Sequence, residues 1–220
     1  MAQPYVSLII PAFNAERFIA ETVASVLAQH ADNLEIIIVD DGSTDGTPAM
    51  LASFGTQVRI VRLPENGGPA HARNTGLRAA QGAVIGFLDA DDLWYPDTLE
   101  NLLPPLKDDA VDFTQGHVVY FRETANGREV QDQSFFGTHM GASLYKRKII
   151  DTLRSFDESL RYGEDMDWAA RLQEAGFNGC KVDVPVLQYR RHDRNMTNDE
   201  DAVKRSMLEV FRKKFARAHA

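Results

Sequence analysis

Four short runs of apolar residues alternate with segments of helical spacing over the first hundred residues, and this constrains the chain more than any other feature. Residues 6–11 and 35–40 are nearly continuous in apolar character and short enough for strands buried on both faces. Residues 58–63 and 83–88 complete the set. Between them, residues 15–29 carry Phe18, Ile19, Val23, Val26 and Leu27 at helical spacing. A second helix is expected from a Thr44 or Asp45 cap to about Phe54, with Pro48 tolerated in its first turn. Residues 69–80 and 96–103 supply two more. Strand and helix alternating in this way predict an α/β fold with a mostly parallel central sheet flanked by helices. Ligands in such sheets bind beyond the carboxyl ends of the strands, which directs attention to loops 12–15, 40–45, 64–69 and 89–96.

The second half is less regular. Residues 112–121 and 129–133 predict a hairpin around Asn126 and Gly127. A strand over 137–145 leads into a helix at 146–153, and a helix over 163–175 ends before Gly176. A last strand over 180–189 carries Pro185, which suits an edge or a bend. Residues 200–218 form an amphipathic helix. Its apolar face of Val203, Met207, Leu208, Phe211 and Phe215 reads as core packing. With no repeat, low-complexity tract or linker, a single domain over 1–220 is expected.

One cysteine, Cys180, excludes an intrachain disulfide and a cysteine-rich zinc site. A packed strand thiol in a reducing cytosol is the plain reading. Lys and Arg number 24 against 32 Asp and Glu, a net charge of −8, which weighs against nonspecific nucleic-acid binding but not against a nucleotide held through a metal. The first seven residues have no basic region before their apolar stretch, so no signal peptide is expected. No apolar run approaches the ~20 residues of a bilayer span. A cytoplasmic location follows, with the inner face of the membrane as its variant.

The sharpest local signal is FLDADD at 87–92. Asp89, Asp91 and Asp92 repel one another at a strand end, and a divalent cation would relieve them. Carboxylate oxygens suit Mn²⁺ or Mg²⁺. The plainer alternative is a solvated loop with Asp92 or Asp97 as a helix cap. A second acidic loop, VDDGSTDG at 39–46, sits at a neighbouring strand end. Its glycines permit a sharp turn, and an Asp there can accept a hydrogen bond from a nucleobase N–H. The Rossmann glycine pattern, the P-loop and the hydrolase nucleophile elbow are all absent.

VSLIIPAFN at 6–14, IVDDGSTDGT at 38–47, NGG at 66–68 with ARNTG at 72–76, and LDADD at 88–92 together resemble the family 2 glycosyltransferases. GAS at 141–143, FDE at 156–158, GED at 163–165 and YRRH at 189–192 match the family's acceptor half. The resemblance runs over residues 6–192. It implies the A-type, nucleotide-sugar-binding glycosyltransferase fold, with a nucleotide-binding half over 1–106, an acceptor half over 107–195 and a C-terminal helix over 196–220. It implies that Asp41 contacts the base, Asp89 lies near the ribose, and Asp91 binds the metal that bridges the diphosphate. The backbone of Pro11, Ala12 and Phe13 would line the base pocket, with Arg73 beside the nucleotide. Asp165 would be the catalytic base, kept ionised by the helix it opens. Glu164 and Asp167 are nearby rivals for that role, with first-turn carboxylates stabilised only by the helix dipole as the plainer reading.

The implied reaction is metal-dependent sugar transfer with inversion, from a UDP-sugar as first choice, to a glycan or lipid-linked acceptor in surface polysaccharide or glycolipid synthesis. GDP and dTDP donors remain open. His192 is a candidate second metal ligand, since Mn²⁺ accepts imidazole. Arg190, Arg191 and Arg194 read as a diphosphate clamp or as solvated cations. Trp94 and Tyr95 read as a sugar-stacking pair or as packing. The last helix is basic as well as amphipathic, so peripheral contact with a membrane is a further expectation. Competing readings are a sugar-phosphate nucleotidyltransferase, whose Gly-rich basic loop is missing, and a phospho-receiver module, which would leave the second half unexplained. A transferase fold that binds nucleotide without chemistry is opposed by the presence of Asp91 and Asp165.

Overall fold

A computed structural model describes residues 5–29, 31 and 33–219. Residues 1–4, which enter the reading of the N-terminus, lie outside these. Strands β1 (Val6–Ala12), β2 (Leu34–Asp40), β3 (Arg59–Arg62) and β4 (Val84–Phe87) pair in parallel in the order β3-β2-β1-β4. Leu8, Ile9, Ile10, Ile37, Ile38 and Val39 are fully buried, so the continuous apolar runs are indeed covered on both faces. The crossovers are α1 (Ile19–Leu27), α2 (Thr47–Ala52) and α3 (Pro69–Ala79). Ile19, Val23 and Val26 of α1 pack with Leu8, Ile10, Ile36 and Ile38 on one face. Ala70, Ala72 and Leu77 of α3 pack with Ile9, Ile37 and Val39 on the other.

The first helix begins four residues later than its apolar spacing predicts. Ala15 donates its N–H to Thr47 Oγ1 at 2.8 Å and Glu16 to Asp45 Oδ2 at 3.3 Å, which ties the segment before α1 to the loop after β2, and the Ala15 carbonyl accepts the Ile19 N–H at 3.0 Å.

After β4 come β5 (Leu93–Trp94), α4 (Thr98–Leu102), the hairpin β6 (Phe113–Thr124) and β7 (Gly127–Phe135), and β8 (Ser143–Lys146). Then follow α5 (Arg147–Leu153), α6 (Glu164–Glu174), β9 (Gly179–Arg190) and α7 (Glu200–Ala218). The sheet continues from β4 through β8, β6 and β9 to β5. β8 is antiparallel to both β4 and β6, and β9 is parallel to β6. So β6 and β9 point the same way as β1–β4. The end of β9 therefore delivers Arg190, Arg191 and His192 to the edge where β1, β2 and β4 end.

Two expectations are corrected here. The strand expected over 137–145 starts only at Ser143, because Met140–Ala142 forms a 3-10 turn whose Gly141 carbonyl accepts the Trp94 indole N–H at 2.8 Å. Helix α7 does not pack through its large apolar side chains. Its buried residues are Ala202, Ser206 and Val210, while Met207, Leu208, Phe211 and Phe215 are 40%, 60%, 64% and 67% exposed. The inward contacts are short or ionic: the Ser206 hydroxyl donates to the Tyr162 carbonyl, Lys213 meets Asp157 at 2.7 Å, and Arg217 meets Asp167 at 2.9 Å. Pro185, expected at an edge or a bend, sits in the interior strand β9 opposite His117, where the β6–β9 register shifts. No helix among the described residues is long and apolar enough to cross a membrane.

Candidate active site

The loop after β2 is built by its own carboxylates. Asp40 is buried and accepts the Ser43 N–H at 3.0 Å. Both oxygens of Asp41 are engaged, accepting the N–H groups of Gly67 at 2.9 Å and Gly68 at 2.8 Å. Gly42 sits at φ +71°, and a Cβ there would lie 2.6 Å from the Glu65 backbone, so only glycine lets the two loops touch. Asn14 ties the loop after β1 to the same place: its N–H donates to Ser43 Oγ and its side-chain oxygen accepts the Thr44 N–H. Asp41, expected at the base, is thus first a clamp on the Gly67–Gly68 turn and is 3% exposed. Ala12 is buried and Pro11 half-buried, but the Phe13 ring stands 47% exposed at the mouth of this loop pair.

In the loop after β4 each acidic residue has its own protein partner. Asp89 Oδ1 meets Arg73 Nη2 at 2.6 Å. Asp91 Oδ2 meets His192 Nε2 at 2.9 Å. Asp92 is buried and accepts the Arg190 N–H at 2.8 Å. Burial, and then the charges of Asp91 and Asp89, raise the Asp92 pKa well above the ordinary range. Asp92 is therefore not a cap of α4, and the mutual repulsion read from the sequence persists as the raised pKa of its buried member.

The pair Asp91–His192 can be tested for fit to a cation. Two neighbouring ligands of an octahedral ion with bonds of about 2.1 Å stand about 3 Å apart, which the observed 2.9 Å matches. One carboxylate and one imidazole suit Mn²⁺. Among the described residues no three His, Cys, Asp or Glu side chains are placed to hold one ion together. An ion would take two protein ligands and fill its other positions with water or substrate oxygens. His192 Nδ1 accepts the Arg194 N–H at 3.1 Å, so Nε2 carries the proton in this arrangement. A metal on Nε2 requires the other tautomer and the loss of that bond.

Arg73 is no surface cation. It lies on α3, 3% exposed, and bonds Glu164 Oε1 at 2.5 Å as well as Asp89. Burial penalises its charge, but Asp89 and Glu164 outweigh that and raise its pKa. Glu164, expected as a first-turn carboxylate, is instead a buried partner of Arg73. Asp167, expected in the same role, is buried between Arg171 and Arg217.

Asp165 follows Glu164 at the start of α6, directed there by Gly163 in the left-handed region at φ +75°. Its Oδ1 accepts the Met166 N–H at 2.8 Å. Burial and the Glu164 charge, against the opposing pull of Arg73, push its pKa up to about 6. The helix start, expected to keep it ionised, is opposed by burial and Glu164, which raise its pKa, although a value of about 6 still leaves it ionised near neutrality.

Arg190 cannot clamp a diphosphate. It is 2% exposed, its Nε donates to the Asp91 carbonyl at 2.7 Å, and its Nη2 meets Glu21 at 2.5 Å. It is a positioning residue for the acidic loop. Trp94 is buried with its N–H spent on Gly141 and cannot stack on a sugar. The aromatic wall lies elsewhere: Tyr120, Phe135 and Tyr189 surround His139, with Tyr189 at 4.7 Å between ring centroids. These residues come from β6, β7, β9 and the turn before β8, and no sequence spacing signals their meeting. Cys180 is a half-buried strand residue.

The sequence profile of the glycosyl transferase family 2 matches residues 7–162. The chain belongs to this family. Asp165 and His192 lie beyond the matched segment. The minor teichoic acid biosynthesis protein GgaA of Bacillus subtilis is 31% identical over 183 residues, 72% of this chain and 41% of its own length. Among solved structures, TarS 1-349 of S. aureus in complex with UDP-GlcNAc superposes with a TM-score of 0.77 at 20% identity, covering 93% of this chain and 65% of that one. The mannosyltransferase PcManGT of Pyrobaculum calidifontis in complex with GDP-Man and Mn²⁺ gives 0.78 at 23%, covering 98% and 65%. These likenesses establish the fold expected from the sequence, an A-type glycosyltransferase fold. The chain spans less than two thirds of each of these proteins.

Proposed function

We propose that this chain transfers a sugar from a nucleoside diphosphate sugar to an acceptor hydroxyl with inversion, assisted by Mn²⁺ or Mg²⁺, in surface polysaccharide or glycolipid synthesis. The single observation that carries the reading is the meeting at one sheet edge of Asp89, Asp91 and His192 with a carboxylate of raised pKa, Asp165, joined through Arg73 and Glu164. Family membership and neighbours bound to UDP-GlcNAc and GDP-Man support it. A UDP-sugar is the favoured donor, and a glycan or lipid-linked hydroxyl the acceptor. The name of GgaA supports a wall-polymer setting.

Asp91 and His192 would hold the cation, which when bound supplies Lewis-acid stabilisation of the departing diphosphate charge. The remaining work falls to the chain. Phe13 offers its exposed face to the base, and the Asp41-clamped turn shapes the pocket beside it. Arg73 fixes Asp89 and Glu164 relative to one another, so that the donor loop and the base-bearing helix share one rigid pair of bonds. Asp165 takes the acceptor proton as the hydroxyl attacks the anomeric carbon. With a pKa of about 6 it is ionised near neutrality yet remains basic enough to accept that proton.

The test is thermal stabilisation by UDP, GDP and dTDP, each with and without Mn²⁺, followed by transfer from the matching nucleotide sugars and assignment of the product anomer. UDP with Mn²⁺ at 100 times its dissociation constant should add about 2.7 kcal/mol. No stabilisation by any nucleoside diphosphate with metal overturns the reading.

A further inference from the structure

We infer that the outward face of α7 docks the protein on an anionic lipid bilayer. Projected at about 100° per residue, Met207, Leu208, Phe211 and Phe215 fall within roughly one 100° sector on the side away from buried Ser206, with Phe215 directly opposite it. The four side chains are 40–67% exposed, and the His219 ring at the end of the same helix stacks on Phe215 at 4.1 Å. Lys214 flanks the sector on one side and Arg205 and Arg212 on the other, with Lys204 in line towards its N-terminal end. Arg205, Arg212 and Lys214 make no ion pair among the described residues, whereas the inward cations Lys213 and Arg217 are tied to Asp157, Asp167 and Glu174. The helix thus turns its unpaired positive charge and its largest apolar side chains outward together.

Charge decides the occupant. The chain as a whole carries −8, yet α7 has six basic against three acidic residues. An apolar wedge bordered by cations on both sides complements the acyl boundary and the anionic headgroups of a bilayer. A second copy of the chain fits less well. Taking about 150–250 Å² for each such side chain at full exposure, the four present roughly 500 Å², so two copies would bury about 1,000 Å². That falls short of the ~1,200–2,000 Å² of a stable interface, and it would bring the flanking cations of both copies to one seam.

The docked orientation has a consequence for the site. The Ser206 hydroxyl donates to the Tyr162 carbonyl, and Val210 and Ser206 sit under Gly163, the residue that opens α6. The turn leading to Asp165 therefore lies one helix diameter, about 10 Å, from the plane on which α7 rests. Resting on the function proposed above, this depth suits an acceptor carried by a lipid.

Docking itself is independent of that function and is tested by vesicle co-sedimentation of the whole chain. One set of vesicles is phosphatidylcholine, the other phosphatidylcholine with phosphatidylglycerol. Binding to the anionic vesicles alone, with release by salt, is expected. The pair Arg212→Glu and Lys214→Glu should weaken partitioning by at least about 25-fold, from about five-fold per lost cation. The pair Phe211→Ser and Phe215→Ser should weaken it by at least roughly ten-fold. Both pairs face solvent, so far-UV dichroism and nucleotide binding should match wild type. Equal binding to neutral vesicles, binding to neither, or a dimer in light scattering that Phe211→Ser with Phe215→Ser abolishes would each overturn the proposal.

Discussion

Replacing Asp165 with Asn should raise stability while removing catalysis. Burial and the neighbouring Glu164 charge lift the Asp165 pKa from 3.8 to about 6, a cost of ionisation that the unfolded chain does not bear. About two pKa units at ~1.4 kcal/mol each give about 3 kcal/mol. That shift already contains the favourable helix-start charge, so the expected gain at pH 7 is about 3 kcal/mol. Asn keeps the oxygen that accepts the Met166 N–H, so the local backbone should hold. The folded pKa lies above the unfolded one, so the wild-type chain loses stability from this group as pH rises from about 4 to 6. The variant's advantage should accordingly be full above pH 6 and vanish below pH 4. Urea denaturation at pH 7 and pH 4 reads it directly. In the transfer assay the rate should fall 10²–10⁴-fold with donor binding nearly unchanged. The wild-type rate should rise with pH through about 6, and the variant should lack that limb. An Asp165→Asn variant less stable than wild type at pH 7, or equally advantaged at pH 4, would refute the burial argument. A fully active one would refute the base.

Arg73→Met should destabilise by about 3–5 kcal/mol, because Glu164, only 9% exposed in its side chain, is left as an unpaired buried charge; adding Glu164→Gln should recover more than half in the same urea titration. Asp91→Ala should abolish stabilisation by Mn²⁺ with UDP, whereas His192→Gln should weaken it by roughly 10–100-fold in metal affinity, read by titration calorimetry; unchanged affinity in both would remove the cation from this site. Asp157 is held down to about 2 by side-chain hydrogen bonds from Lys213 and Ser159. Its folded pKa lies below the unfolded one, so its contribution is present above pH 4 and lost as pH falls towards 2. Both partners are about a third exposed, so Lys213→Met should cost about 1 kcal/mol at pH 7 and little at pH 2, measured by denaturant midpoint.

The alternation of residues 6–11, 35–40, 58–63 and 83–88 with helical segments was enough to specify the parallel block and the edge at which a site must lie. Buried strands need continuous apolar character, and parallel strands need crossovers. The acidic loops were legible for the same reason, since carboxylates placed at strand ends serve no core. Pairing was not legible. Arg73 and Glu164 lie 91 positions apart and meet between α3 and the start of α6, and Asp91 and His192, 101 apart, meet because β9 runs parallel to β6 and pairs with β5, which follows the acidic loop. The same distance hid the role of Arg190, whose neighbours in sequence are cations but whose neighbours in space are Glu21 and Glu123. Helix α7 shows the limit of periodicity most plainly. An apolar stripe fixes which side chains share a face, but the face turned inward was chosen by Ser206 on Tyr162 and by the Lys213 and Arg217 ion pairs, leaving the phenylalanines to solvent. Periodicity is a property of one helix, whereas burial depends on what the rest of the chain brings to meet it.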